Sequence, residues 1–273
     1  MLVVAILATR NEERFIEACL ENLFKQEIEV YMLDNGSTDK TVKIAQRYLG
    51  RGLIGIEAVP DVGVSCIRER LERKERLAAT LNADWFMHVD ADEIHLPPRS
   101  DKTLKQAVQE VEAQGYNAVN FFEFTFIPIQ EAPDHDHPDF QKTMRWYYPF
   151  LPSFFHRLNA WKRQPGPVQL AWSGGHKVRF PGLRMCPEPF PMRHYLFLSI
   201  PHAIRKWVNR RYDPAELELG MHRWRAKLKP EMLKLLTKEK LRTYVSDDQL
   251  DSSRPWTKSY LELLVTEHER RVA

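Results

Sequence analysis

Three carboxylates and an imidazole crowd the stretch WFMHVDADEIHLP: Asp90, Asp92, Glu93 and His95 follow an apolar run that reads as a buried strand. Carboxylates two apart on an extended chain share a face. At a strand end, Asp90 and Asp92 can therefore grip one divalent ion, directly or through water. Hard oxygen ligands suit Mg²⁺ or Mn²⁺, which then bridge phosphates. Two more polar clusters follow apolar runs: Thr9-Arg10-Asn11-Glu12 after LVVAILA, and Asp34-Asn35-Gly36-Ser37-Thr38-Asp39 after EVYMLD. Any one of them is an ordinary polar turn. In open α/β sheets, however, ligands bind beyond the carboxyl ends of the strands. Three successive strand ends, each carrying an acid, predict one shared site.

The elements that must position these residues alternate. Residues 2–8, 29–34, 53–59 and 84–90 read as strands, and the continuous apolar runs fit a parallel sheet covered on both faces. Phe15, Ile16, Cys19, Leu20, Leu23 and Phe24 recur at helical spacing, so 12–26 is expected to be an amphipathic helix. Thr38 or Asp39 is placed to cap a second helix beginning TVKIAQ. Residues 64–81 form a charged helix with Ile67, Leu71 and Leu77 on one side, and 103–115 a helix ended by Gly115. This alternation predicts right-handed crossovers and a parallel sheet. YNAVNFFEFTFIP (116–128) is a further strand, and short strands are expected at VQLAW and HKVRF within an otherwise irregular 129–192. From about residue 200 the reading is helical and charged.

The motif order TRNEE, LDNGSTD, WFMHVDADE resembles the family 2 glycosyltransferases with a GT-A fold, over roughly residues 1–100. GGHKVRF (174–180) and MRHYLFLS (192–199) look like downstream elements of some bacterial members. The resemblance implies an α/β fold: a GT-A (Rossmann-like), mostly parallel sheet flanked by helices, with a helical C-terminal extension. It implies a transferase domain over 1–200, with a nucleotide-binding half (1–100) and an acceptor half (101–200), and the extension over 201–273. It implies that the first strand end (Thr9, Arg10, Asn11, Glu12) and the second (Asp34, with Asn35, Gly36 and Ser37) hold the base and ribose. The Asp90-Ala91-Asp92 segment would hold metal and diphosphate, and His194 would return as a third metal ligand. The reaction implied is inverting transfer of a sugar from a nucleotide donor, UDP-based, to a glycan or lipid-linked saccharide of an envelope polymer, with Mn²⁺ or Mg²⁺.

Such a transfer needs a base for the acceptor hydroxyl. The acidic pair that carries it in the family is not recognisable here. Glu123, whose burial would raise its pKa, and His176, in a Gly-Gly-His turn, are the candidates, with Asp136, Asp139 and Glu188 behind them. Arg68, Arg70, Lys206, Arg210 and Arg211 are candidates to neutralise phosphate. APDHDHPDF (132–140) reads as a mobile acceptor-side loop. The aromatic run 140–155 is suited either to core packing or to stacking on sugar rings.

The bulk composition is that of a globular protein: 273 residues, 43% apolar and 28% charged, with net charge +3. The basic excess is local, because residues 202–242 carry 12 Lys/Arg against 5 Asp/Glu. With Trp207 and Trp224 that band fits a solvated face first and a peripheral membrane contact second; nucleic acid is not expected. Cys19, Cys66 and Cys186 form no CxxC, which points to reduced thiols and a cytoplasmic location. The start, MLVVAILATRNEE, reads as a first strand rather than a leader. Two rival readings stand. A sugar-phosphate nucleotidyltransferase would want a glycine-rich loop after the first strand, and ATRNEER has none. A non-catalytic glycan- or polyanion-binding module would have no need of Asp34, Asp90 and Asp92.

Overall fold

The computed structural model describes residues 1–60 and 63–272. Its strands are β1 (Val3–Thr9), β2 (Glu29–Asp34), β3 (Leu53–Ala58), β4 (Trp85–Asp90), β5 (Glu93–His95), β6 (Ala118–Phe126), β7 (Trp146–Phe150), β8 (Arg157–Lys162), β9 (Phe190–Tyr195) and β10 (Arg242–Thr243). Helices α1 (Ile16–Lys25), α2 (Thr41–Gln46), α3 (Ile67–Thr80) and α4 (Leu104–Ala113) alternate with the early strands. The chain divides into two compact units. Of the described residues, the first holds 1–60, 67–123 and 155–193; the second holds 63–66, 124–154 and 194–272.

In the first unit β3, β2, β1 and β4 lie side by side and parallel, and β8 and then β6 extend the sheet antiparallel. The α/β class expected from the apolar runs is therefore the class observed. Val3–Leu7 of β1 and Trp85–Val89 of β4 are buried. Ile16, Cys19, Leu20 and Leu23 put one stripe of α1 inward, and Thr103 with Gln106 closes a capping box on α4. Phe86 and Trp161, with ring centroids 6.2 Å apart, join Ile6, Leu33, Leu71 and Leu77 in one core. Each such side chain contributes roughly 1.5–3 kcal/mol when fully buried. A half-exposed ion pair such as Arg47–Glu17 contributes at most about 1 kcal/mol. Packing of the sheet, not surface charge, thus holds the strand ends in place.

Two expectations are corrected. VQLAW and HKVRF are not strands; Gln169 and Arg179 form only an isolated antiparallel bridge, and Ala171–Ser173 is a 3₁₀ turn. For VQLAW the reason is a long-range contact: Glu75 Oε1 accepts from the Leu170 and Ala171 amides, so a side chain takes the place of a strand partner.

The second unit is built on its own apolar cluster. Tyr148 stacks on Trp256 with centroids 4.2 Å apart, and its hydroxyl accepts from the Tyr260 amide at 3.0 Å. Tyr260, Leu261, Leu264 and Val265 line the inner face of the C-terminal helix Tyr260–Val272. The C-terminal end is helical as expected, mostly in segments of three to five residues before that helix. Phe140, Tyr147 and Tyr148 of the aromatic run are core residues; Phe154 is exposed. Trp207 is buried, and its Nε1 donates to the Leu196 carbonyl at 3.1 Å, so it is a packing residue and not an interfacial one. Among the described residues no helix is long and apolar enough to cross a membrane.

One glycine limits the crossover into β3. Gly52 has φ +105°, and a Cβ there would lie 2.4 Å from Phe24 Cδ1. Gly52→Ala is expected to lower stability by roughly 2–4 kcal/mol, from strain and overpacking together, read as a shift in the urea midpoint at unchanged m value.

Candidate functional site

Strand register brings the predicted residues to one sheet edge. Thr9 pairs with Asp34, and Ala8 pairs with Asp90. At one strand spacing per step, Asp34 and Asp90 lie about 10 Å apart across the carboxyl end of β1.

The loops after β1 and β2 are laced together. The Thr9 carbonyl accepts from the Asn35 backbone amide (2.9 Å) and side chain (3.2 Å). Asn11 adopts a left-handed φ of 57°, as asparagine tolerates. Its Oδ1 accepts from Thr38 N at 2.8 Å, and its own amide donates to Ser37 Oγ at 3.0 Å. The Glu12 amide donates to Thr41 Oγ1 at 2.7 Å. Lys40, rather than Thr38 or Asp39, is the N-cap residue of α2 and makes no side-chain cap bond; Asp39 stands one residue earlier, its Oδ1 accepting from Thr41 N at 2.9 Å and its Oδ2 from Glu13 N. Asp34 is buried, and its Oδ2 accepts from Ser37 N at 3.0 Å. Its Oδ1 is buried with no hydrogen-bond partner among the described residues. An orphaned carboxylate oxygen at a strand end is an acceptor held ready for a donor from a ligand. Gly36 supplies a φ of 72° for the turn.

The Asp90 edge is a dense charge cluster. The Asp90 side chain is about half exposed, whereas Ala91, Asp92, Glu93 and His95 are buried. Beneath Asp90 runs a chain of contacts. Lys74 Nζ donates to His88 Nδ1 (2.9 Å) and to the Val89 carbonyl (3.1 Å), and His88 Nε2 lies 3.9 Å from Asp90 Oδ1. Burial pushes Lys74 down to about 8. Burial and the Lys74 charge together push His88 down to about 3, so the ring is neutral. With Nδ1 accepting, the His88 proton sits on Nε2. Burial works to raise the Asp90 carboxyl, but His88 and Lys74 outweigh it and hold the group below its ordinary range.

Arg157, on β8, binds the other side of the cluster. Its Nε lies 2.9 Å from Glu123 Oε2 and its Nη1 lies 3.2 Å from Glu93 Oε1. Burial opposes its charge, yet Glu123, Glu93 and Asp90 hold it firmly protonated. Cys19 lies within the same negative field: burial first, then Glu93, Asp92, Asp90 and Glu12, push its thiol far up. It is therefore inert and structural.

The two base candidates both meet Arg157. Glu123 is buried and also contacts His156 Nε2 at 3.2 Å. His176 Nδ1 accepts from Arg157 Nη1 at 3.1 Å, which leaves the proton of the neutral ring on Nε2. His176 stacks on His156 with centroids 5.0 Å apart. The loop that carries it is fixed by the buried Asn159, whose amide nitrogen, turned toward the loop, donates to the Gly175 and His176 carbonyls at 3.2 Å.

The remaining candidates are placed as follows. Arg70 is half-buried on α3, one turn before Lys74, and Arg68 is exposed. Glu188 is exposed. His194 is buried in the second unit. Asp136 pairs with Arg205 and Asp139 with Lys142, and the His135 ring bonds Thr143 Oγ1 at 2.8 Å and the Ala132 carbonyl at 3.1 Å, all in the second unit. Among the described residues no three His, Cys, Asp or Glu side chains form a ready metal cage.

Sequence reasoning missed Lys74, His88, His156 and Arg157. A signal for Lys74 was present: Ile67, Leu71, Lys74 and Ala78 form one stripe at helical spacing, so this lysine sits on the apolar face of α3.

Comparison with known proteins adds a family. Residues 4–163 match the family model described as Glycosyl transferase family 2. An uncharacterized protein of Methanocaldococcus jannaschii is 27% identical over 105 residues, covering 38% of this chain and 46% of its own. The chain thus spans about half the length of that curated relative. Among solved structures, S. aureus TarS 1-349 in complex with UDP-GlcNAc is similar at 14% identity and a TM-score of 0.46, over 71% of this chain and 58% of that one. Glucosyl-3-phosphoglycerate synthase from Mycobacterium tuberculosis, in complex with Mn²⁺, uridine-diphosphate and phosphoglyceric acid, is 22% identical with a TM-score of 0.31, over 45% and 43% of the two chains.

The buried lysine gives a pH signature. Lys74 titrates at about 8 when folded against an ordinary value of 10.5, so the unfolded chain binds the extra proton between those values. Stability from this group therefore rises with pH across 8 to 10.5 and is flat below 8. In chemical denaturation, wild type is expected to gain roughly 3 kcal/mol relative to Lys74→Met over that window. A parallel pair of stability curves would rule this out.

Proposed function

We infer the reaction from one premise: the chain belongs to glycosyl transferase family 2. We propose that it transfers a sugar from a nucleotide sugar, uridine-based, to a hydroxyl of a glycan or lipid-linked saccharide, with inversion and with Mn²⁺ or Mg²⁺. The observation that carries this reading is the register that sets Asp34 and Asp90 on one edge, either side of β1.

On this reading the nucleoside lies over Asp34. Its orphaned Oδ1 would accept from a uracil imide N–H or a ribose hydroxyl. Thr9, Arg10, Asn11, Glu12, Asn35, Gly36 and Ser37 would shape that pocket. Asp90 and Asp92 would hold the metal, with Ala91 between them and Arg70 toward the diphosphate. The donor set fits: Mg²⁺ and Mn²⁺ favour hard oxygens, and Mg²⁺ sites commonly use one or two carboxylates with substrate phosphates completing the shell. When bound, the ion stabilises the departing diphosphate as a Lewis acid. For the acceptor proton, His156 with Glu123 behind it at 3.2 Å forms an imidazole–carboxylate pair beside Arg157. His176, whose Nδ1 is taken by Arg157, would serve as a donor.

The test is UDP release from a panel of UDP-sugars with Mn²⁺. Asp92→Asn is expected to lower kcat by about 100-fold or more, the scale of losing a transition-state charge stabiliser. Asp34→Asn is expected to raise KM for the donor about tenfold with a smaller effect on kcat. Unchanged kinetics in both variants would overturn the assignment.

A further inference from the structure

We propose that Lys74 sets the charge of the metal site, keeping the affinity of Asp90 and Asp92 for a divalent cation low until a nucleotide diphosphate is present. The inference rests on the metal-dependent reading above.

Lys74 is 1% exposed, on the inward stripe of α3. Its hydrogen-bond partners are two neutral atoms, His88 Nδ1 and the Val89 carbonyl. A lysine that served packing alone would be replaced with profit by Leu or Met, because an isolated buried ammonium costs several kcal/mol. Its positive field is not cancelled by a directly bonded carboxylate. It acts instead on Asp90 and Glu93, whose charges in turn favour its protonated form.

From Lys74 as far as His88 the path to the site is closely packed. Gly175 has φ +89°, and a Cβ there would stand 2.9 Å from His88 Nε2 and 3.0 Å from Leu71 Cδ2. Backbone thus closes directly over the ring that links Lys74 to Asp90. In such a setting a unit charge is felt more strongly than through water.

The balance of charge then decides the outcome. Among Asp90, Asp92, Glu93 and Glu123 lie the buried cations Lys74 and Arg157, with Arg70 within electrostatic reach of Lys74. Arg157 is committed to Glu123 and Glu93 through short contacts. Lys74 is the cation whose field reaches Asp90 without a carboxylate bonded to it. It holds down the attraction for a bare divalent ion, so that the diphosphate must supply the missing negative charge and ligands. The metal then arrives and leaves with the nucleotide.

Mn²⁺ binding is measured by electron paramagnetic resonance at pH 7, without nucleotide and with saturating UDP, on wild type, Lys74→Gln and Lys74→Met. Gln keeps a donor for His88 without the charge; Met is an apolar near-isostere that tolerates burial. Circular dichroism melts establish that each is folded. Nucleotide-free affinity for Mn²⁺ is expected to rise about tenfold in both variants, and the tightening caused by UDP to shrink by the same factor. Unchanged or weaker nucleotide-free binding, with UDP-dependent binding intact in wild type, overturns the role of Lys74 alone. Absence of UDP-dependent Mn²⁺ binding in wild type overturns the metal-dependent reading along with it.

Discussion

The site depends on how four acidic side chains are kept at the end of a buried strand. Asp90, Asp92, Glu93 and Glu123 converge where β4, β5, β6 and β8 meet, in surroundings that would drive a lone carboxylate to protonate. Arg157 answers two of them at close range, and Lys74 answers Asp90 through His88. The buried cations Lys74 and Arg157 lie among these four acids, with Arg70 within electrostatic reach of Lys74. What remains is a negative edge that a divalent cation can complete.

The parallel sheet supplies the other half of the constraint. Because Thr9 pairs with Asp34 and Ala8 with Asp90, the spacing between Asp34 and Asp90 is set by strand separation, not by flexible loops. The hydrogen bonds that tie Asn11 to Ser37 and Thr38, and Glu12 to Thr41, then lock the two loops above that edge. Asp34 Oδ1 is left as the one buried carboxylate oxygen in these loops without a hydrogen-bond partner among the described residues. Rigid support on both sides lowers the entropy lost when a donor binds.

Much of this was legible in the sequence, for a physical reason. Strands buried on both faces must be continuous apolar runs, so LVVAILA, EVYMLD and WFMHVD stand out, and the polar residues that follow them mark the site edge. Long-range contacts were not legible. Arg157 is one arginine in an irregular segment, and only folding brings it to Glu93 and Glu123. Lys74 lies on a helix crowded with charged residues, although its place on the Ile67–Leu71 stripe argues for burial. VQLAW had strand composition, yet the Glu75 side chain satisfied its amides first. The neutral state of His88 likewise follows from its burial and then from a neighbour fourteen residues away in sequence.

The most direct measurement is calorimetric titration of UDP into the protein, with Mn²⁺ and then with EDTA, on wild type and Asp92→Asn. Binding that requires Mn²⁺ and is lost in the variant is the result predicted here. Binding of equal strength with EDTA, or no change in Asp92→Asn, would contradict a metal-bridged diphosphate at the end of β4.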